Sequence, residues 1–197
     1  MTTINIRVAD GITPELNRIA GEIGRPRALL AACGKELEIQ LRKHFAKRDS
    51  EPNAMGFPKS HFWRNTVGRN TALTEVSDSR AVVTIASPEF AHKVYGGTIT
   101  AKRGKALSIP ISPEAYKAGS ASLFPRPLTM VCRPNRPPLL VETGLIGKSR
   151  SWKLHYVLLK SVTQKADPKA WPEQADLERS ILERARALLA RILRTRA

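Results

Sequence analysis

The side chains best suited to metal or nucleophile chemistry in this 197-residue chain are four histidines, His44, His61, His92 and His155, and two cysteines, Cys33 and Cys132. No two of the histidines fall at i,i+4 or at any other short ligand spacing, and the cysteines lack the paired spacing of a zinc site, so no metal centre is expected. His61-Phe62-Trp63-Arg64-Asn65 has a nuclease-like flavour. A metal-dependent nuclease needs carboxylates nearby, however, and residues 52–74 contain none. His61 therefore reads as loop packing or interface, His44 as a core or boundary residue, and His155 as a solvent-facing position on a strand. Ser60, Ser87 and Ser108 lack a Gly-x-Ser-x-Gly context, and Cys33 sits on an apolar helical stripe as a small core residue. Gly96-Gly97-Thr98 is not a phosphate loop, because no Gly-Lys-Ser/Thr ending follows and a strand, not a helix, comes next. The expectation is a chain with no catalytic residues, no metal and no cofactor.

The elements that would position these residues are legible from hydrophobic period. Ile4, Ile6 and Val8 alternate, and Thr13-Pro14-Glu15 opens a helix that Gly24 closes. Pro26 opens a longer helix to about residue 47, with Leu30, Cys33, Leu37, Leu41 and His44/Phe45 on one stripe and Glu38–Arg42 as a favourable i,i+4 pair. Residues 49–74 lose period but keep Phe57, Phe62 and Trp63, which must be pinned to the domain's own core or to another subunit. Strands are expected over 74–87, 90–100, 106–111, 128–132, 139–141 and 152–162, with a helical turn at Pro113–Tyr116. Three prolines in Arg133-Pro134-Asn135-Arg136-Pro137-Pro138 argue against regular pairing there. After Asp167-Pro168 and Trp171-Pro172 comes a terminal helix striped by Leu177, Ile181, Ala185, Leu188 and Ile192. The order predicts an α+β fold: N-terminal helices packed on a mainly antiparallel β-sheet, with a C-terminal amphipathic helix. The expected division is a single domain over 1–165, with helices at about 14–47 and strands at about 75–163, and a helical extension over 166–197.

Charge is the extreme property: 33 Lys+Arg against 17 Asp+Glu, a net +16. Residues 1–100 are close to balanced, whereas 101–150 hold nine basic side chains against Glu114 and Glu142 alone. The excess gathers at Lys102, Arg103 and Lys105, at Arg126, Arg133 and Arg136, and at Arg184, Arg186, Arg191, Arg194 and Arg196. Such clusters meet phosphate or an acidic protein surface. No run of about 18 apolar residues predicts a membrane span, and Met1–Ile6 lacks the layout of a secretion signal.

Residues 88–111 carry Gly96-Gly97-Thr98-Ile99, then Lys102, then Leu107-Ser108-Ile109-Pro110. This stretch resembles the "GGTI-x-x-K…LxIP" segment of tailed-phage virion morphogenesis or tail-completion proteins. Arg42-Lys43-His44-Phe45 followed by Phe62-Trp63, and Tyr156 to Pro168, are similar to other parts of that family, so the resemblance spans roughly residues 28–172. It implies a structural virion protein of the neck or tail end, made in the bacterial cytoplasm, that completes or joins the tail. Such proteins form homo-oligomeric rings, often of six subunits, that contact tail-tube, head-completion or portal-side proteins. In that setting Lys102, Arg103, Lys105, Arg126, Arg133 and Arg136 become candidates to face a DNA-conducting lumen or a partner, and Phe57, Phe62 and Trp63 candidate interface anchors. The alternative reading is a basic nucleic-acid-binding protein that holds phosphates through its Lys/Arg clusters.

Overall fold

The computed structural model describes residues 26–51, 56, 57, 61–102, 106–146 and 149–196. The expected first helix over 14–24, Arg103 and Lys105 lie outside the described residues. The fold is α+β, in two compact units.

The first unit comprises 26–50, 61–94 and 167–196. Helix α1 (Pro26–Ser50) presents Leu29, Leu30, Cys33, Leu41 and Phe45 as a buried stripe at helical spacing. Its last turn supplies Asp49, whose carboxylate accepts from the Trp63 and Arg64 N–H groups at 3.2 and 2.7 Å and caps the π-helical turn Trp63–Gly68. Next comes a hairpin of β1 (Thr71–Val76) and β2 (Ala81–Ile85), in place of the single strand expected over 74–87. The Ser77 hydroxyl closes it, accepting from the N–H groups of Ser79 and Arg80, so the turn needs neither Gly nor Pro. Gly34 lets this hairpin approach α1. A Cβ there would lie 2.7 Å from Leu73 Cδ1 and 2.9 Å from the Ala81 Cβ.

Glu38 is the polar joint between α1 and the hairpin. Only 4% exposed, it accepts from Lys35 Nζ at 2.9 Å, from Arg42 Nη2 at 3.0 Å and from the Leu73 N–H at 3.2 Å. Arg42 goes on to donate to the Thr71 carbonyl at 3.1 and 2.7 Å. Burial works to raise the Glu38 pKa, but the Lys35 hydrogen bond, the Leu73 N–H and the Arg42 charge outweigh it and hold the carboxyl below its ordinary value. A depressed carboxyl contributes stability above its unfolded pKa and loses it as pH falls through the folded one. Urea midpoints should therefore drop as pH is lowered from about 5 to about 3, and less steeply in Glu38→Gln. At neutral pH Glu38→Ala should cost about 1.5–3 kcal/mol, the range for a charged hydrogen bond. An unchanged pH profile in Glu38→Gln would show that this carboxylate does not tie the hairpin down.

Residues 90–100, expected as a strand, divide into helix α2 (Pro88–Tyr95) and β3 (Gly97–Thr100). Pro88 fixes the first helical φ and the Ser87 hydroxyl accepts from the Phe90 N–H, so the helix is started by its cap. The terminal helix, α4 (Gln174–Arg196), packs along α1 as part of this unit rather than as an extension. Leu177 joins the Leu41–Phe45 cluster and Ala185 the Leu29–Cys33 cluster, so the two helices run antiparallel.

The second unit holds 56, 57 and 95–166. Its strands are β3, β4 (Leu107–Pro110), β5 (Thr129–Arg133), β6 (Arg136–Ile146), β7 (Ser149–Leu159) and β8 (Ser161–Gln164). Strands β3 and β8 pair antiparallel; the others form a four-stranded antiparallel sheet in the order β4-β7-β6-β5. The strand expected over 152–162 thus breaks at Lys160 and serves two sheets. The proline-rich 133–138 segment, expected to resist pairing, makes a tight turn: Arg133 pairs with Arg136 around Pro134-Asn135, with Asn135 at φ +53°. Pro137 and Pro138 sit at the bulge of that pair, before pairing with β7 begins at Leu139. A short helix, α3 (Pro113–Ala118), and a 3-10 turn (Ala121–Leu123) bring Ala115 and Phe124 against Tyr156 as this unit's core. The last element of the chain is α4 (Gln174–Arg196).

Candidate functional site

The most chemically loaded cluster grows from a bulge in β7. Leu140 pairs with Tyr156 but Val141 with Leu154, so His155 is an extra residue in the strand. The extra residue shifts the alternation, and His155 and Tyr156 are both buried, each with no measurable exposure. This corrects the solvent-facing expectation for His155. Its Nδ1 lies 2.7 Å from Ser112 Oγ and its Nε2 3.2 Å from Glu142 Oε2, while the Phe124 ring centroid is 4.4 Å away. A carboxylate can only accept, so in the neutral ring Nε2 carries the proton and Nδ1 accepts from the serine hydroxyl. The other Glu142 oxygen takes Arg126 Nη1 at 2.9 Å, and the Arg126 guanidinium lies 5.6 Å from the Phe124 ring centroid.

Serine, histidine and glutamate in line have the connectivity of an acyl-transfer relay. The neighbourhood gives the hydroxyl a different task. Ser112 is the N-cap of α3 and accepts from the Ala115 N–H at 3.2 Å. Pro113 has no N–H, and the Ala115 N–H is already bonded to the Ser112 hydroxyl, so the start of α3 offers no free pair of donors to an oxyanion. Tyr156 Oη completes the joint by donating to the Ala115 carbonyl at 3.1 Å; burial raises its pKa. The network caps a helix and pins a bulge. Sequence reasoning missed it because Ser112, Glu142 and His155 are far apart in the chain, and only Ser112-Pro113-Glu114 carries a local signal.

The basic candidates separate in the same way. Arg126 is bound to Glu142, and Arg133 donates to the Pro137 carbonyl at 2.9 Å. Lys102 and Arg136 are exposed, while Arg184, Arg186 and Arg194 stand exposed on α4. Of the aromatic anchors, Trp63 stacks on Phe45 at 6.2 Å between centroids, and Phe62 meets Trp63 edge-on at 5.3 Å, so both serve the first unit's own core. Phe57, half-buried, packs on Tyr116 at 5.3 Å. Exposed apolar side chains lie elsewhere, at Ile39, Tyr95, Ile99 and Leu123 and, on the four-stranded sheet, at Trp152 (61%) and Leu154 (38%) on β7 and Met130 (58%) on the edge strand β5.

Compared with protein-family models, curated proteins and solved structures, the chain matches none. Among the described residues no group of three His, Cys, Asp or Glu side chains is placed to hold a metal ion, and no helix is long and apolar enough to cross a membrane.

Proposed function

We propose that this chain is a structural protein of a tailed-phage virion, which oligomerises as a ring to complete or join the tail at the head–tail interface. The observation that carries the reading is the meeting of the segments that bear the resemblance. Phe45 packs against Trp63 and, at 5.5 Å, against Phe90. Gly96-Gly97 leads into β3, which pairs with Ser161–Gln164 of the 156–168 segment, and Leu107–Pro110 pairs with β7 from the same segment. Within each unit, residues scattered over the chain thus come together, as expected where a shared fold constrains them. No catalytic role is assigned to any of them.

A ring needs an apolar contact between copies, and Trp152 and Leu154 supply one. Aromatic and aliphatic side chains buried at the centre of a contact dominate association energies. The two lie two residues apart on β7 and so share a sheet face. In this reading they take the anchoring role that the sequence suggested for Phe62 and Trp63. The test is the mass of the purified protein by light scattering, with negative-stain images of the particles. The expected result is a ring, reduced to a folded monomer by Trp152→Ser with Leu154→Ser. A wild-type protein that stays monomeric alone and with neck or tail components would overturn the assembly reading.

A further inference from the structure

We propose that the arginine-bearing end of the α1–α4 helix pair binds the phosphate backbone of a nucleic-acid duplex without reading its sequence. Because the helices are antiparallel, the second half of α4 runs beside the first turns of α1. That brings Arg27 of α1 to the same end as Arg184, Arg186 and Arg194 of α4, all exposed. Arg184 marks the seam: burial pushes the Cys33 thiol up to about 11, against the pull of that guanidinium. Arg184 and Arg194 are separated by about 15 Å along the helix at 1.5 Å per residue, enough to span several phosphates.

Helix stability accounts for Arg194 alone, which stands in the last turn of α4. Cations favour a helix C-terminus only within its last turn, yet Arg184 and Arg186 sit about three turns before the end of α4. Arg27 lies in the first turn of α1, where the dipole disfavours a cation and where no acidic residue offsets it. Nor does the surface resemble a protein contact. Beside and between the arginines α4 exposes Glu183, Ala187 and Ala190, and among the described side chains none of the large exposed apolar ones lies on this helix. Protein partners need such anchors, whereas a phosphate backbone needs only charge and forked donors. Of the eight ion pairs among the described residues, none involves Arg27, Arg184, Arg186 or Arg194.

The test is an anisotropy titration of the full chain against a 30-base-pair DNA duplex of arbitrary sequence. Four phosphate contacts predict a log–log salt slope of roughly −3.6, so affinity should fall on the order of 100-fold between 50 and 200 mM salt. Replacing Arg184, Arg186 and Arg194 with Gln, a comparable helix former, should bring the slope to about −1 with an unchanged melting curve. A second variant, Lys102→Gln with Arg136→Gln in the other unit, should leave both slope and affinity unchanged. The proposal is overturned if wild type does not bind at 50 mM salt, if the triple variant keeps the wild-type slope, if the Lys102/Arg136 variant loses binding equally, or if polyglutamate of equal charge competes as well as duplex. Ring formation is read separately by mass, so failure here and failure of the assembly reading are distinguishable.

Discussion

Phe45→Ala is expected to destabilise the protein by about 3–5 kcal/mol, the range for deleting a fully buried aromatic ring. Phe45 has no measurable exposure and is the hub of the first unit's aromatic cluster. It meets Trp63 in a stacked arrangement at 6.2 Å, and Phe90 edge-on at 5.5 Å. Trp63 in turn faces Phe90 at 6.3 Å and lies under the Arg48 guanidinium at 5.1 Å. The hole left by alanine has rings on several sides that belong to α1, the π-helical turn and α2, so no single side chain can swing in to fill it. Urea denaturation followed by far-UV circular dichroism and by tryptophan fluorescence measures the loss. The midpoint should fall with the slope unchanged. A loss below about 1 kcal/mol would mean that the site collapses freely and that these rings do not organise the unit.

Where local period decided the structure, the sequence predicted it; where a turn or a distant partner decided, it did not. Helix α1 was legible because Leu30, Cys33, Leu37 and Leu41 keep one face over most of its length, and β4 because it is short, apolar and bounded by turns. The β1–β2 hairpin was hidden because its turn is made by Ser77 hydrogen bonds, which carry no Gly or Pro signal. Helix α2 was hidden because Val94 and Tyr95 suit a strand, while the cap at Ser87 and Pro88 decides for a helix. The buried His155 lay beyond pattern reading altogether. One inserted residue in β7 changes the side to which the following positions point, and a bulge is a property of the pairing partner β6 as much as of β7. The basic clusters were visible as charge, but not which members were already engaged. Arg126 finds Glu142, whereas Arg184, Arg186 and Arg194 form no ion pair among the described residues.

Gly96→Ala is the sharpest test of why the Gly-Gly pair stands where it does. Gly96 has φ +71°, and a Cβ there would lie 2.9 Å from both the Ala166 nitrogen and the Gln164 oxygen, and 3.3 Å from the Lys165 carbonyl carbon. All three neighbours are backbone, so none can rotate away. The left-handed conformation alone costs an L-residue about 1–2 kcal/mol, and forcing a methyl into a packed site adds about 1–3 kcal/mol. A total near 3 kcal/mol is expected, with the damage focused on the β3–β8 pair that Gly97↔Gln164 begins. Gly56 supplies the control, because it has φ +69° but, among the described residues, nothing within 4 Å of its would-be Cβ. Gly56→Ala should therefore cost only about 1–2 kcal/mol. Urea melts of the two variants give the difference, and hydrogen exchange at Ile99 and Ala101, whose amides face β8, locates it, since these should lose protection in Gly96→Ala alone. Equal losses in the two variants would leave φ as the whole explanation and remove the crowding argument. A larger loss at Gly96 would mean that the first glycine of the GGTI segment is held there by the approach of the 164–166 backbone, two parts of the chain more than sixty residues apart constraining each other through a missing methyl group.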